Sequence, residues 1–157
     1  MSAMPSFEVS TATTDDLPRI VEMKLAMFSE SGHADLLAPN AGELILSDYR
    51  RLYTTAEAQH FLIRTGGVAI ACAGAFLKSD VPFRYFRSPS YGFVGDVYTE
   101  PAFRGQGCAK VLSKNVLFWL RSRDIRMVRL LASEAGRPLY SKLGFVPTDE
   151  MVFFDAT

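Results

Sequence analysis

The chain has 157 residues, 48% of them hydrophobic, with 12 Phe, 6 Tyr and a formal net charge of zero. That length and composition fit a single globular domain over residues 1–157 with a real core, and they exclude a disordered chain. A neutral balance gives no reason to expect whole-molecule attraction to nucleic acid or to a membrane surface. The charge is unevenly spread, however. From Met1 to Asp48 acids dominate and Arg19 and Lys24 are the only bases, whereas from Pro101 to Lys142 bases dominate and Asp124 and Glu134 are the only acids. Two cysteines, Cys72 and Cys108, are too few for a disulfide framework and lack metal-ligand spacing, so no metal and a reducing cytoplasm are expected. Residues Met1 to Pro5 lack the basic-then-apolar pattern of a signal peptide. The longest apolar stretch, Val68 to Leu77, is too short to cross a bilayer.

Taken in chain order, Phe7 and Val9 alternate with polar neighbours, the pattern of a short first strand. Thr13-Thr14-Asp15-Asp16 reads as a helix start, followed by Leu17, Ile20, Val21, Leu25 and Phe28 at helical spacing. Ser31-Gly32-His33 breaks that helix, and His33 is expected at the surface. A second helix is predicted from about Ala41 to Thr55, with Leu44, Ile45, Tyr49, Leu52 and Tyr53 on one side. His60 to Thr65 and Val68 to Lys78 are β-rich runs joined by Gly66-Gly67, a hairpin signal. Ser79 to Pro89 reads as a polar and aromatic loop, and its Phe83-Arg84-Tyr85-Phe86-Arg87 cluster is expected to line a substrate cleft rather than to bind nucleic acid.

The strand Tyr91 to Thr99 follows, and its Gly92 and Gly95 predict a bulge or a close backbone approach. A helix from about Gly107 to Arg123 buries Ala109, Leu112, Val116, Trp119 and Leu120. Met127 to Ala132 is a compact apolar strand, Arg137 to Leu143 a short helix stopped by Gly144, and Phe145-Val146 with Met151 to Phe154 a terminal strand pair. These elements predict an α/β fold, with a mixed, mostly antiparallel sheet of six or seven strands and about four helices.

Arg104-Gly105-Gln106-Gly107-Cys108-Ala109 lies between the Tyr91–Thr99 strand and the next helix. Glycines there let the backbone approach a ligand closely. The unpaired amides and the dipole of the helix start make the segment a site for an anion, most simply a phosphate. A P-loop pattern is absent, and a dinucleotide fingerprint would need glycine at Lys110. Histidine metal pairs and a Gly-x-Ser-x-Gly nucleophile turn are absent as well.

Downstream stand Leu130-Leu131-Ala132-Ser133-Glu134 and then Leu139-Tyr140-Ser141-Lys142-Leu143-Gly144-Phe145. With Val97 to Pro101 ahead of the glycine segment, this order resembles the GNAT superfamily, the GCN5-related N-acetyltransferases. Arg104 to Ala109 fits that family's (Gln/Arg)-x-x-Gly-x-(Gly/Ala) motif, and Leu139 to Phe145 fits its Leu-Tyr-x-x-x-Gly-Phe signature. The likeness covers Tyr91 to Phe154, while the N-terminal half matches only in element order.

The resemblance implies an acyl-CoA N-acyltransferase fold whose central strands splay apart around acetyl-CoA, the acyl donor. By position, Val97, Tyr98 and Thr99 would meet the acyl and pantetheine portions, and Arg104, Gly105, Gln106, Gly107, Cys108 and Ala109 the pyrophosphate. Ser133 stands where many relatives have an Asn that helps hold the cofactor. Tyr140 would be the general acid, since a phenol of ordinary pKa about 10 stays protonated at neutral pH. Asp96, Glu134 or a water chain would take the proton of the attacking amine. Cys108, at a helix start, could be an acyl-cysteine nucleophile, but its variable motif position reads as inward-facing filler.

The implied reaction is acetyl transfer from acetyl-CoA to a primary amine by direct attack in a ternary complex. The alternative is a non-catalytic acyl-CoA-binding module of the same fold, and a longer acyl donor stays open. The acidic N-terminal half supplies the helices that border the acceptor in the family, which hints at a cationic small molecule or peptide amine. A homodimer is a further possibility that the family raises.

Overall fold

A computed structural model describes residues 7–82 and 88–155. The Phe83–Arg87 cluster lies outside the described residues. The chain runs β1 (Val9–Thr11), α1 (Leu17–Glu30), α2 (Ala41–Thr54), β2 (Ala58–Thr65), β3 (Val68–Ser79), β4 (Ser90–Thr99), α3 (Cys108–Ser122), β5 (Val128–Leu130) and α4 (Arg137–Lys142). The strands form one sheet in the order β1-β2-β3-β4-β5. Neighbours are antiparallel from β1 to β4, and β5 joins β4 in parallel after the α3 crossover. This is the mixed α/β architecture that the sequence predicts.

Local chemistry sets most of these elements. The Thr13 N–H donates to the Asp16 carboxylate at 2.8 Å ahead of α1, and Pro18 occupies the first turn, where its missing N–H costs nothing. Gly66 and Gly67 both take positive φ, 58° and 79°, as the tight β2–β3 turn requires. Alternation along the strands then divides the core into two layers. Phe61, Ile63, Ile70 and Val94 pack against Leu112, Val116 and Leu120 of α3. On the opposite face Leu62, Cys72 and Tyr98 meet Leu17, Ile20 and Met23 of α1 and Tyr49 of α2. Burying a side chain such as Leu112 or Leu120 is worth roughly 1.5–3 kcal/mol.

Both glycines of β4 have packing consequences. A Cβ on Gly92 would stand 2.7 Å from a methyl of Leu120, so the glycine lets α3 lie close to the strand. Near Gly95 the β3–β4 register slips: Cys72 faces Tyr98 and Gly74 faces Gly95, so three steps on β4 match two on β3. Asp96 is the extra residue, with a φ of 56°. That is a β-bulge in the middle of the sheet.

The strand count differs from expectation. Five strands form among the described residues, and neither Phe145-Val146 nor Met151–Phe154 is a strand. Only Val128, Arg129 and Leu130 of the predicted Met127–Ala132 run pair with β4. Pro147, which has no N–H for a ladder, follows Val146. Met151, Val152, Phe153 and Phe154 form an unbroken apolar run with no alternation to bury, and all four are exposed.

Candidate active site

The β4–β5 ladder consists of Gly92↔Val128, Phe93↔Arg129 and Val94↔Leu130. Past that last pair the two strands separate. From Gly95 to Thr99, β4 keeps a ladder partner only in β3. One wall of the resulting cleft carries the backbone of Val97, Tyr98 and Thr99, and the chain leaving β5 carries Leu131, Ala132 and Ser133. A separated parallel pair leaves backbone polar groups without a sheet partner, ready for an extended ligand to bond.

Directly beyond β4 the chain makes a single turn at Pro101–Phe103 and enters Arg104 to Ala109. Gly105 and Gly107 have φ of 78° and 87°, and a Cβ on either would meet nothing within 4 Å. Packing therefore does not demand these glycines. The left-handed backbone does, and the empty space in front of them is available to a ligand. Gly107 sits immediately before α3, whose first internal bond is Val111 N–H to the Gly107 carbonyl at 3.1 Å. The amides of Cys108, Ala109 and Lys110 precede that bond and form the positive end of a 15-residue helix.

The side chains around the loop are mostly structural. Arg104 donates from Nε to the Thr99 carbonyl at 2.8 Å and from its terminal nitrogen to Glu30 at 2.6 Å, with its guanidinium 5.4 Å from the Tyr98 ring centre. Tyr98 donates its hydroxyl to the other Glu30 oxygen at 2.8 Å. Burial, then that acidic partner, pushes the Tyr98 phenol up to about 12. Glu30, at the end of α1, thus ties the anion loop to the opposite face of the sheet. Cys108 turns its thiol inward, and burial pushes its pKa up, the reverse of an activated nucleophile.

Asp96 is 4% exposed, and its bulge delivers it into a polar cluster inside the α1–α2 layer. One carboxylate oxygen accepts from Lys24 of α1; the other accepts from Tyr49 of α2 and from His60 Nε2 of β2 at 2.8 Å. The Tyr53 hydroxyl accepts the His60 backbone N–H at 2.9 Å and lies 2.9 Å from Nδ1. With its own proton turned to Nδ1, the Tyr53 hydroxyl leaves Nε2 to donate to Asp96. Cys72 donates to the Asp96 carbonyl at 3.1 Å. Gly74 makes the room, because a Cβ there would stand 2.8 Å from His60 Nε2. Burial alone would raise the Asp96 carboxyl, but His60 and the Lys24 ammonium outweigh it and hold the group well below the usual carboxylate range. Such a carboxylate has little proton affinity at neutral pH, and its side chain is shut away from solvent.

Tyr140 lies half-buried on α4, its ring 5.9 Å from Phe145 in an edge-to-face contact. Burial raises its phenol pKa, so it stays protonated. Phe145 packs on the α3-side core, which places α4 on the same face as the anion loop. Ser133 accepts the Gly136 N–H at 3.1 Å and so caps the approach to α4. Glu134 is exposed on that connection.

A sequence model of the Acetyltransferase (GNAT) family matches residues 26–145. The chain belongs to that family. A search of curated protein sequences gives no significant match. Among solved structures, a GCN5-related N-acetyltransferase from Ralstonia eutropha is 25% identical, with a TM-score of 0.86 over 97% of this chain and 100% of that one. A predicted acetyltransferase from Clostridium acetobutylicum, solved with acetyl-CoA, is 22% identical, with a TM-score of 0.84 over 96% of both chains. The aminoglycoside N-acetyltransferase AAC(6′)-Iy in complex with CoA is 18% identical, with a TM-score of 0.76 over 99% of this chain and 97% of that one. The last two likenesses speak for the fold alone.

Among the GNAT residues expected from sequence, Val97 to Thr99 and Arg104 to Ala109 sit contiguously along one wall of the cleft, whereas Asp96 turns into the core. Lys24, Tyr49, Tyr53 and His60 were not singled out by sequence, yet they fix the bulge beside Val97. One signal was present: Lys24 stands among Ile20, Val21, Met23 and Met27 on an otherwise apolar helix stripe. A charge in such a place calls for a buried partner. His33 is exposed and bonds Ser31. No helix among the described residues is long and apolar enough to cross a membrane, and none of their His, Cys, Asp or Glu side chains cluster as metal ligands.

Proposed function

We propose that this GNAT protein transfers an acetyl group from acetyl-CoA to a primary amine. The observation that carries the reading is the parting of β4 and β5 beyond Val94↔Leu130, directly upstream of an open, glycine-lined helix start. The pyrophosphate of the donor would lie on the amides of Gly105 to Ala109. The pantetheine arm would extend along Val97 to Thr99 and pair with backbone groups that β5 leaves free. A backbone N–H of that stretch would polarise the thioester oxygen as negative charge develops on it. Ser133, at the mouth of the cleft, is available to a donor group that displaces its bond to Gly136.

The amine nitrogen attacks the thioester carbon, the C–S bond breaks, and the thiolate takes a proton from the Tyr140 hydroxyl. Solvent water takes the proton of the acceptor's ammonium before the attack, and after C–S cleavage the Tyr140 phenolate regains a proton, by way of water, from the nitrogen that has become the amide. Asp96 is set aside as the base, because its carboxylate is buried, bonded to three donors and held well below the usual carboxylate range; its part is to hold the bulge that presents Val97. Glu134 is a surface group with no held position, so water is the simpler acceptor of the amine's proton.

The test is a thiol-release screen of acetyl-CoA against a library of amines, with product mass measured for each hit. Amine-dependent CoA release with an acetylated product is expected. Tight CoA binding without turnover of any amine would favour a non-catalytic acyl-CoA module, and faster turnover of a longer acyl-CoA would reassign the donor.

A further inference from the structure

A second pocket, of about 280 Å³, opens on the sheet face opposite α3, beside the point where the strands part. Its walls come from β3, β4, β5 and the chain after α4: Lys78, Tyr91, Phe93, Arg129, Leu131 and Glu150. Register explains the grouping, since Lys78 faces Tyr91 across β3–β4 and Phe93 faces Arg129 across β4–β5. Phe93 also shares its face with Gly95, whose absent Cβ would lie 3.5 Å from the Phe93 ring. Phe93 thus stands two residues before Gly95 on the strand that leads into the bulge. A larger cavity of about 810 Å³, lined by Glu57, Ser79, Arg123 and Asp124, lies at the other end of β4, away from the parting strands.

The charge of the smaller pocket is specific. The Lys78 ammonium stands 5.1 Å from the Phe93 ring centre and the Arg129 guanidinium 5.3 Å from that of Tyr91. Each of these two rings therefore already holds one of the protein's own cations. Glu150 bonds Arg129 and is the only acid in the lining, while Lys78 makes no ion pair among the described residues. Four of the N-terminal acids that hinted at a cationic acceptor are directed to arginines: Asp16 to Arg64, Glu22 to Arg19, Glu30 to Arg104 and Asp48 to Arg51. None of them lines this pocket.

We infer that the acceptor amine carries an anionic group, a carboxylate or a phosphate, that seats on Lys78 between the Tyr91 and Phe93 rings. This inference rests on the acetyl-transfer reading for the identity of the second substrate. An acid-bearing ligand would add a charge-assisted bond to Lys78 and join the Arg129–Glu150 pair at its cationic end. A purely cationic amine would face Lys78, while the acid of the described lining, Glu150, is already bonded to Arg129.

The experiment uses the full chain saturated with CoA and reads equilibrium binding by calorimetry for two matched pairs. These are phenylalanine against phenylalaninamide, and phosphoethanolamine against ethanolamine. The acid-bearing member of at least one pair should bind about tenfold tighter, the size of one charge-assisted contact. The pair that responds tells carboxylate from phosphate. Lys78→Glu should remove the preference and Lys78→Gln should reduce it, whereas Lys114→Glu on the exposed side of α3 should leave it intact. Equal binding within both pairs, tighter binding of the neutral members, or a preference that survives Lys78→Glu would overturn the inference. Because binding is read with CoA, failed acetyl transfer would count against the proposed reaction while leaving this ratio measurable.

Discussion

The Asp96 bulge lies on β4 and the glycine loop lies just beyond the end of that strand, yet they are built in opposite ways. In the loop, Gly105 and Gly107 face open space and the work falls to backbone amides. At the bulge, the Asp96 carboxylate is buried and already bonded, with α1, α2 and β2 each sending it a donor. Open backbone suits a part that must receive a ligand; saturated side chains suit a part that must not move when the ligand arrives. A strained φ of 56° at Asp96 persists because the surroundings over-determine it.

The sharpest way to break this contrast is to empty the bulge. Asp96→Ala leaves Lys24 and His60 without their shared anion, so a loss of about 3–5 kcal/mol is expected in a denaturant titration. A loss below about 1 kcal/mol would mean the cluster is not a clamp. The same group sets an acid limit. Its folded pKa is depressed, so the stability it adds is complete above the unfolded carboxyl value of about 3.9 and drains away as pH falls toward the folded one. Melting temperature should therefore drop below about pH 4 in the native chain, and more shallowly in Asp96→Asn.

A pair of glycine substitutions separates receiving from packing. Gly107→Ala places a Cβ in empty space at positive φ, costing about 1 kcal/mol of stability, and should weaken CoA binding by about tenfold. Gly92→Ala meets Leu120 and should do the reverse, lowering stability while the folded fraction binds CoA as before. Calorimetric CoA affinity and thermal melting on both variants would decide it. Equal effects of the two on CoA would remove the distinction.

The smallest effect is expected where the two regions are joined. Glu30 binds Arg104 of the loop and Tyr98 of the strand. Glu30→Gln removes an exposed negative charge beside the anion site, so CoA should bind about two- to threefold tighter at low salt, with the gain fading at high salt. Unchanged affinity at low salt would show that Glu30 acts only as a tether.

These regions also differ in how far they can be read from sequence. Arg104 to Ala109 is local: its glycines, the helix after it and the strand before it are contiguous, so backbone rules suffice. The Gly66-Gly67 hairpin and the inward side of α2 at Ile45, Tyr49, Leu52 and Tyr53 were legible for the same reason, whereas Leu44 of the expected stripe is exposed. Gly92 and Gly95 announced an irregular β4 but not its occupant. Asp96 read as a candidate base because nothing local reveals Lys24, 72 residues earlier, or His60, 36 residues earlier. Charge along the N-terminal half does not reveal its pairing either: Asp16 and Glu30 bond arginines from other elements, whereas Glu22 and Asp48 bond arginines of their own helices. The C-terminal runs looked like strands by composition, but strand formation needs an adjacent edge, and β5 pairs over three residues only.

The central claim is that the cleft past Val94↔Leu130 carries acetyl transfer with Tyr140 as the acid. The most direct measurement compares kcat and CoA affinity in the native chain and in Tyr140→Phe. The account predicts a loss of about 10²–10⁴ in kcat, the range for a general acid, with CoA affinity unchanged. Unaltered kcat in Tyr140→Phe would contradict it.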